Sequence, residues 1–288
     1  MSDHMAATQT ERRGRLELSE NLKLRIASGA ILAAIAFALA YAGPKPFAAL
    51  ILVVALLVSW EWGRMVRGAG ADLAFFIHAI AVTAAIVLSV AGYAALGAAV
   101  LVTAAIILVP LVFGRGARLS ALGVFYVGLP AISLLWLRSN EPYGFAAVLL
   151  VFAIVWCSDI GAYASGRLIG GPRLWPKISP NKTWAGLIGG LAAGTAAAAL
   201  IVPLFVEDAS PVRLALTGLA LAMVAQAGDL AESALKRVFG LKDASDLIPG
   251  HGGFMDRMDS IVAVATAAAL FALVANPHAP AQALLFGV

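Results

Sequence analysis

Long apolar runs alternate with short polar stretches along most of the chain. A transmembrane helix needs roughly 20 predominantly apolar residues to cross the hydrocarbon core of a bilayer. Runs of about this length predict nine membrane-spanning helices, over residues 23–42, 47–62, 73–92, 94–114, 119–137, 143–163, 185–206, 213–231 and 260–276. Segments of alternating hydrophobicity, which are typical of outer-membrane barrels, are absent from the sequence. The pattern therefore predicts an all-α polytopic membrane protein.

The composition supports this fold class and excludes others. Hydrophobic residues make up 61% of the 288 residues, and charged residues make up 12%. A soluble domain carries about 25% charged residues, and even a domain of this size leaves about a quarter of its extended-chain surface in water. An ordinary soluble domain and a disordered chain are therefore excluded. The one cysteine, Cys157, excludes an internal disulfide bond.

The basic residues indicate the orientation of the helices, because cytoplasmic loops carry an excess of Lys and Arg. With the N-terminus in the cytoplasm, 17 of the 20 basic residues fall on the cytoplasmic side, and only Lys45, Arg138 and Arg213 fall outside. We therefore expect three parts: a polar cytoplasmic tail over residues 1–21, an N-terminal region of five spans over 22–142, and a region of four spans with cytoplasmic loops over 143–288.

One polar stretch begins inside the sixth predicted span and runs to the seventh. Asp159 lies within or at the end of the sixth span. Ser179 followed by Pro180 is typical of an N-cap and a first helical residue. The seventh helix would then present free backbone N–H groups with Lys182 beside them, which is a plausible anion site. A capped helix with an interfacial lysine fits the same pattern.

A second polar stretch joins the eighth and ninth predicted spans. Four polar residues recur at helical spacing and form one stripe: Asp229, Glu232, Ser233 and Lys236. Asp256 and Asp259 lie three residues apart at the start of the ninth span. Carboxylates at membrane depth are costly and therefore indicate function. Mg²⁺ binds one or two carboxylates with water and phosphate, and phosphates bind Lys and Arg. The stretch favours phosphoryl or nucleotidyl transfer over a set of surface ion pairs.

Two further residues allow simpler interpretations. His251 is a lone histidine next to glycines, so it fits a base, a metal ligand or a hydrogen bond that shapes the loop. Glu61 lies between Trp60 and Trp62 near the cytoplasmic end of the second span. We expect these three residues to form an interfacial aromatic belt with a carboxylate that reaches toward water.

Residues 233–259, which run from Ser233 through Lys236-Arg237 to His251-Gly252-Gly253-Phe254-Met255-Asp256-Arg257-Met258-Asp259, resemble the signature of the phosphatidate cytidylyltransferases. Residues 158–163, 179–184 and 228–232 also resemble that family. One departure is Ala185, where the family often has a glutamate. The resemblance is close over residues 150–262 and rests on hydropathy before them.

The resemblance implies that CTP and phosphatidic acid react to give CDP-diacylglycerol and pyrophosphate, as a step of phospholipid biosynthesis. It implies Mg²⁺ as cofactor, with a monovalent ion such as K⁺ beside it. It also implies a homodimer of polytopic subunits in the bacterial inner membrane, whose active site faces the cytoplasm. The expected partners are CTP, phosphatidic acid and membrane lipid, and we expect no nucleic acid.

Site residues follow from the resemblance as hypotheses, with the catalytic region over residues 143–288. The expected catalytic residues are Asp229, Asp256 and Lys236. The expected substrate-binding residues are Asp159, Ser179, Asn181, Lys182, Arg237, Lys242, His251 and Arg257. The expected metal ligands are Asp229, Asp256, Asp259 and Asp246. No general base is required, because a phosphate dianion is already nucleophilic.

Two other classes of function compete with this one. A polyprenol kinase or an isoprenoid-lipid cytidylyltransferase would use similar groups on another lipid acceptor. A transporter could move protons or ions through Asp159 and Asp229 near a broken helix. A transporter would be expected to carry polar residues near the middle of the bilayer and repeated halves, whereas the polar residues here gather toward one face.

Overall fold

The computed structural model describes residues 28–112, 115–245, 247 and 252–287. In chain order, the helices and strands are α1 (Ser28–Ala42), α2 (Pro44–Arg67), α3 (Leu73–Val90), α4 (Ala94–Leu111), α5 (Arg115–Arg138), α6 (Gly144–Leu168), β1 (Arg173–Trp175), β2 (Ser179–Thr183), α7 (Trp184–Ile201), α8 (Pro211–Val238), α9 (Met255–Ala275) and α10 (Pro280–Phe286). A short 3₁₀ turn, Val202–Leu204, follows α7.

Eight of these helices, α2 to α9, are long and apolar enough to cross a membrane, counted within the described residues. The described part of α1 is apolar but shorter, and the predicted first span also includes residues 23–27, which lie outside the described residues. The all-α polytopic class is confirmed. The number of nine spans, the orientation and the three-part division of the chain stay predictions, and residues 1–21 lie outside the described residues.

The helices that carry the polar stretches extend beyond the apolar runs that predict them. Helix α8 continues to Val238, whereas its apolar run ends near residue 231, and α9 begins at Met255 rather than at residue 260. An apolar run measures only the part of a helix that lies in hydrocarbon, so polar turns at its ends are missed. The polar stripe of α8 and both Asp256 and Asp259 are consequently helical.

The expectation that Ser179 caps a helix beginning at Pro180 is wrong. Residues Ser179–Thr183 form β2, which pairs antiparallel with β1 in a two-stranded hairpin. Thr183 is the N-cap of α7, and its hydroxyl oxygen accepts a hydrogen bond from Gly186 N at 3.0 Å. The strand pairing uses backbone groups that a helix would need, and only Thr183 is placed to cap the first turn. Lys182 therefore lies on a strand next to the helix start.

Small residues set the distances between α6, α7, α8 and α9. A Cβ atom built on Gly161 of α6 would lie 2.4 Å from Ala193 Cβ of α7, and one on Gly228 of α8 would lie 2.5 Å from Ala263 Cβ of α9. Without a hydrophobic driving force between helices in lipid, such close backbone approach provides packing contacts. Helix α9 also packs against α5, so it joins this group to the N-terminal helices.

Candidate active site

Three carboxylates from three helices lie within electrostatic reach of one another. Asp159 on α6 interacts with Asp229 on α8, and Asp259 on α9 interacts with both of them. Lys182 on β2 forms an ion pair with Asp229, with 2.5 Å between Nζ and Oδ2. Arg257 also interacts electrostatically with Asp159. We call Asp159, Asp229 and Asp259 the acidic group. Like charges disfavour one another, and a bound cation would relieve this repulsion.

Packing one turn away holds the acidic group in place. Gln226 is buried on α8, and its Nε2 donates to the hydroxyl oxygen of Ser158 on α6 at 3.1 Å. Ser158 precedes Asp159, and Gln226 lies one turn before Asp229. The close contact at Gly228 joins α8 to α9 at the same level. The backbones that carry the acidic group are therefore packed directly against one another.

A second set of polar contacts surrounds Lys236 on α8. Its Nζ lies 2.5 Å from Asp256 Oδ1 and 3.2 Å from Glu232 Oε1. Tyr126 on α5 donates its hydroxyl to Glu232 Oε2 at 2.5 Å. The side chains of Lys236, Glu232 and Asp256 are 11%, 1% and 8% exposed. One buried cation therefore compensates two buried carboxylates from different helices.

Asp256 also holds the backbone before α9. Its Oδ2 accepts hydrogen bonds from Gly253 N at 2.8 Å and from Ala244 N at 2.9 Å. With Lys236 on Oδ1, both carboxylate oxygens have protein partners. Asp229 and Asp256 thus lie on packed helices, as the sequence predicts, but each is paired with a different lysine. The role of either as a metal ligand stays a prediction.

The donor set fits a cation that retains water and phosphate ligands. In the part of the chain that the structure describes, no group of three or more His, Cys, Asp or Glu side chains could hold a metal ion by itself. Mg²⁺ is commonly bound by one or two carboxylates plus substrate phosphates and water. The acidic group offers oxygen donors of this kind beside Lys182, which is suited to a phosphate.

The predicted phosphate-binding residues lie around the hairpin and the end of α8. Arg237 donates to Ile178 O at 3.3 Å and to Leu241 O at 3.0 Å, so it ties the hairpin to the loop after α8. Asn181 is exposed, and its carbonyl accepts a hydrogen bond from Arg173 Nη1 at 3.2 Å. Lys242 is exposed on the loop. Their contacts with substrate stay predictions.

Two predicted site residues, Asp246 and His251, lie outside the described residues. Ser179 is half-buried on β2, where its backbone pairs with Trp175. Arg257 lies in the first turn of α9 beside Asp256. The structure therefore brings Asp159, Lys182, Asp229 and Asp259 together and places Lys236 and Asp256 in the adjoining cluster, while it leaves Asp246 and His251 undecided.

The expectation that the carboxylate of Glu61 reaches toward water is wrong. Glu61 is fully buried rather than directed to water, and its carboxylate accepts hydrogen bonds from Phe254 N, Met255 N and the Ser245 hydroxyl. Trp62 is also buried, and its Nε1 donates to Leu119 O at 2.8 Å. A carboxylate inside an apolar run was the available signal, because such residues are functional candidates by default. The neighbouring tryptophans favoured the interfacial interpretation.

The fold and this cluster define a polytopic helical membrane protein whose acidic and basic side chains meet at one end of its helices. Comparison with known proteins identifies the family. A model of the cytidylyltransferase family matches residues 23–275, and the chain belongs to this family.

Three named relatives are similar to the chain. The phosphatidate cytidylyltransferase of Brucella suis biovar 1 (strain 1330) is 40% identical over 264 residues, which are 90% of this chain and 97% of that protein. That of Pseudomonas aeruginosa is 38% identical over 230 residues, 75% of this chain and 84% of that protein. That of Staphylococcus saprophyticus is 42% identical over 148 residues, 50% of this chain and 54% of that protein.

Proposed function

We propose that the protein transfers the cytidylyl group of CTP to phosphatidic acid and thereby makes CDP-diacylglycerol and pyrophosphate for phospholipid biosynthesis. The single observation that carries this proposal is the convergence of the acidic group from α6, α8 and α9 with Lys182 beside it. The names of the relatives support the choice of substrates. A site at one end of membrane-spanning helices can meet a soluble nucleotide and a lipid headgroup together.

The chemistry requires little of the protein beyond positioning and charge neutralisation. A phosphate oxygen of phosphatidic acid attacks the α-phosphorus of CTP, a new P–O–P bond forms, and the bond to pyrophosphate breaks. The attacking phosphate is already an anion, so no side chain has to remove a proton. We assign the task of offsetting the negative charge that develops on the phosphates to five basic residues: Lys182, Lys236, Arg237, Lys242 and Arg257.

Carboxylates are the residues that would hold the cation. We assign this role to Asp229, Asp256, Asp259 and Asp246, with Mg²⁺ as the ion and K⁺ beside it. When bound, the divalent ion would neutralise phosphate charge and orient the triphosphate. Asp256 already accepts from Lys236 on Oδ1 and from two backbone N–H groups on Oδ2, so Oδ1 is the oxygen with a lone pair left for the ion.

The remaining assignments concern location and assembly. The eight candidate spans make the protein integral to a membrane. We propose the bacterial inner membrane, an active site that faces the cytoplasm, and a homodimer, with CTP, phosphatidic acid and membrane lipid as partners. A cytoplasmic site is consistent with the excess of Lys and Arg on the loops that carry it and with the need for soluble CTP.

The test is a pyrophosphate-release assay on the purified protein in detergent, with CTP, phosphatidic acid and Mg²⁺ each omitted in turn. We expect pyrophosphate only when all three are present. Release of CDP instead of pyrophosphate with a polyprenol acceptor would identify a lipid kinase, and release of pyrophosphate with an isoprenoid phosphate alone would identify another cytidylyltransferase. Proton or ion flux in proteoliposomes without turnover of CTP would indicate a transporter. Each of these three results contradicts the proposal.

A further inference from the structure

Glu61 provides the start of α9 with hydrogen-bond acceptors from a distant helix. Its Oε1 accepts from Phe254 N at 3.0 Å, and its Oε2 accepts from Met255 N at 2.6 Å. The N-cap residue of α9, Phe254, makes no side-chain capping hydrogen bond of its own. The first N–H groups of a helix need acceptors, and negative charge is favourable at that end. Glu61 on α2 therefore caps α9 across the protein.

The groups around Glu61 compensate the burial of its carboxylate. The residue is 0% exposed, and it forms no ion pair within the described part of the chain. The Ser245 hydroxyl donates a third hydrogen bond to Oε1. A buried charge is tolerated only where hydrogen bonds or opposite charge compensate it. Two backbone N–H groups, one hydroxyl and the positive end of α9 provide that compensation here.

The same short segment is held from its other side by Asp256. Glu61 binds the N–H groups of residues 254 and 255, while Asp256 binds the N–H groups of Gly253 and Ala244. The fit around Glu61 is tight, since a Cβ atom on Gly253 would lie 2.5 Å from Glu61 Oε1. A change at Glu61 therefore reaches Asp256 through one or two peptide units.

We propose that Glu61 is a positioning residue: it fixes the first turn of α9 and with it the carboxylates of Asp256 and Asp259. An N-terminal helix thereby sets the geometry of a site whose other groups come from β2, α6, α8 and α9. Displacing a reacting or binding group by about 1 Å costs on the order of a hundred-fold in rate. The inference rests on the proposed function for its kinetic consequence, but its structural consequence stands independently.

The kinetic test compares Glu61→Gln with a matched control, Asp72→Asn. Both remove one charge from a carboxylate that caps a helix, since Asp72 accepts from Phe75 N at 2.9 Å at the start of α3, but α3 carries no site residue. For Glu61→Gln we expect kcat to fall at least about ten-fold and the Mg²⁺ concentration for half-activation to rise at least about three-fold, with KM for phosphatidic acid within about two-fold. The control should stay within about two-fold throughout.

A purely structural role would lower the amount of active enzyme without moving the Mg²⁺ dependence. If folded, monodisperse Glu61→Gln retains kcat and Mg²⁺ half-activation within about two-fold of wild type, the proposal is wrong.

Amide hydrogen exchange provides a readout that does not depend on activity. In Glu61→Gln we expect the amides of residues 253–256 to exchange at least about ten-fold faster, while Asp72→Asn leaves them unchanged. Unchanged exchange in Glu61→Gln contradicts the proposal.

If Glu61→Gln does not fold, Ser245→Ala provides a second test, because it removes only one of the three hydrogen bonds. Faster exchange of the same amides is again expected, and unchanged exchange in Ser245→Ala also contradicts the proposal. A wild type that produces no pyrophosphate refutes the proposed function alone, because the exchange result still decides the role of Glu61.

Discussion

Among the described residues, the ion pairs of α2–α5 differ from those of α6–α9. In the first group, the ion pairs join residues close in sequence: Arg67 with Asp72, and Arg138 with Glu141. In the second group, they include pairs between separate elements: Lys182 with Asp229, and Lys236 with Asp256. Local pairs complete helix ends, and the long-range pairs hold several helix ends around one polar site.

The packing differs in degree, since both groups bury large side chains and both contain close contacts at glycine. Helices α2–α5 bury large side chains, among them Trp62, Leu101 and Leu135. Helices α6–α9 approach through glycine and alanine, as at Gly161 and Gly228. Backbone contact between helices leaves less freedom for adjustment than contact between long side chains. The helices that surround the site therefore carry the larger share of these close glycine contacts.

The largest effect is expected from Asp229→Asn, which removes a carboxylate of the acidic group. We expect the rate of pyrophosphate release to fall at least about a hundred-fold, because the variant loses both a proposed cation ligand and the partner of Lys182. The matched control is Glu141→Gln, which breaks a local pair in the other region and should change the rate by less than about two-fold. An equal loss of rate in Asp229→Asn and Glu141→Gln would show that the long-range pairs matter no more for activity than the local ones.

Replacing Lys236 by Met is expected to reduce stability strongly, since Glu232 and Asp256 would remain buried without their cation. Breaking a buried pair in this way costs about 3–5 kcal/mol. Arg67→Met leaves Asp72, whose side chain is 30% exposed, and should cost less than Lys236→Met because water can still reach this carboxylate. Thermal unfolding in detergent measures both, and a larger loss for Arg67→Met would reverse the comparison.

Adding one methyl group at Gly228 tests the packing of α8 against α9. Gly228→Ala places a Cβ atom 2.5 Å from Ala263 Cβ, and such overpacking costs about 1–3 kcal/mol. It should also separate Asp229 from Asp259 and reduce activity. Gly29→Ala is the control, because nothing lies within 4 Å of its Cβ position. Wild-type stability and activity in Gly228→Ala would show that this contact does not set the spacing.

The smallest effect concerns Asp72, between α2 and α3. The Arg67 guanidinium, which lies 2.6 Å from its Oδ2, lowers the pKa of this carboxyl below its ordinary 3.8. A lowered pKa in the folded state contributes stability that is fully present above the ordinary value and is lost as pH falls through the lower value. Below about pH 4, the melting temperature of wild type should therefore fall more steeply with decreasing pH than that of Asp72→Asn. Identical slopes in the two proteins would contradict this.

Local patterns in the sequence were sufficient for the apolar parts of α2 to α9 and for part of the site. A residue that lies in the hydrocarbon core is apolar whatever its distant neighbours are, so α2 to α9 could be predicted from hydropathy. The stripe from Asp229 to Lys236 needed only helical periodicity. The hairpin of β1 and β2 could not be anticipated in this way. Its strands are stabilised by pairing with each other, and neither strand contains an apolar run.

Tertiary structure decided which polar groups meet. Glu61 lies far in sequence from Ser245 and Met255, and Tyr126 lies far from Glu232, yet both pairs are in contact. These partners meet because α5 packs against both α2 and α9, and α9 packs in turn against α8. The sequence by itself determined a membrane-embedded helical protein with acids and bases in two stretches. Helix packing, which depends on shape complementarity between distant residues, determined that a carboxylate of α2 caps α9.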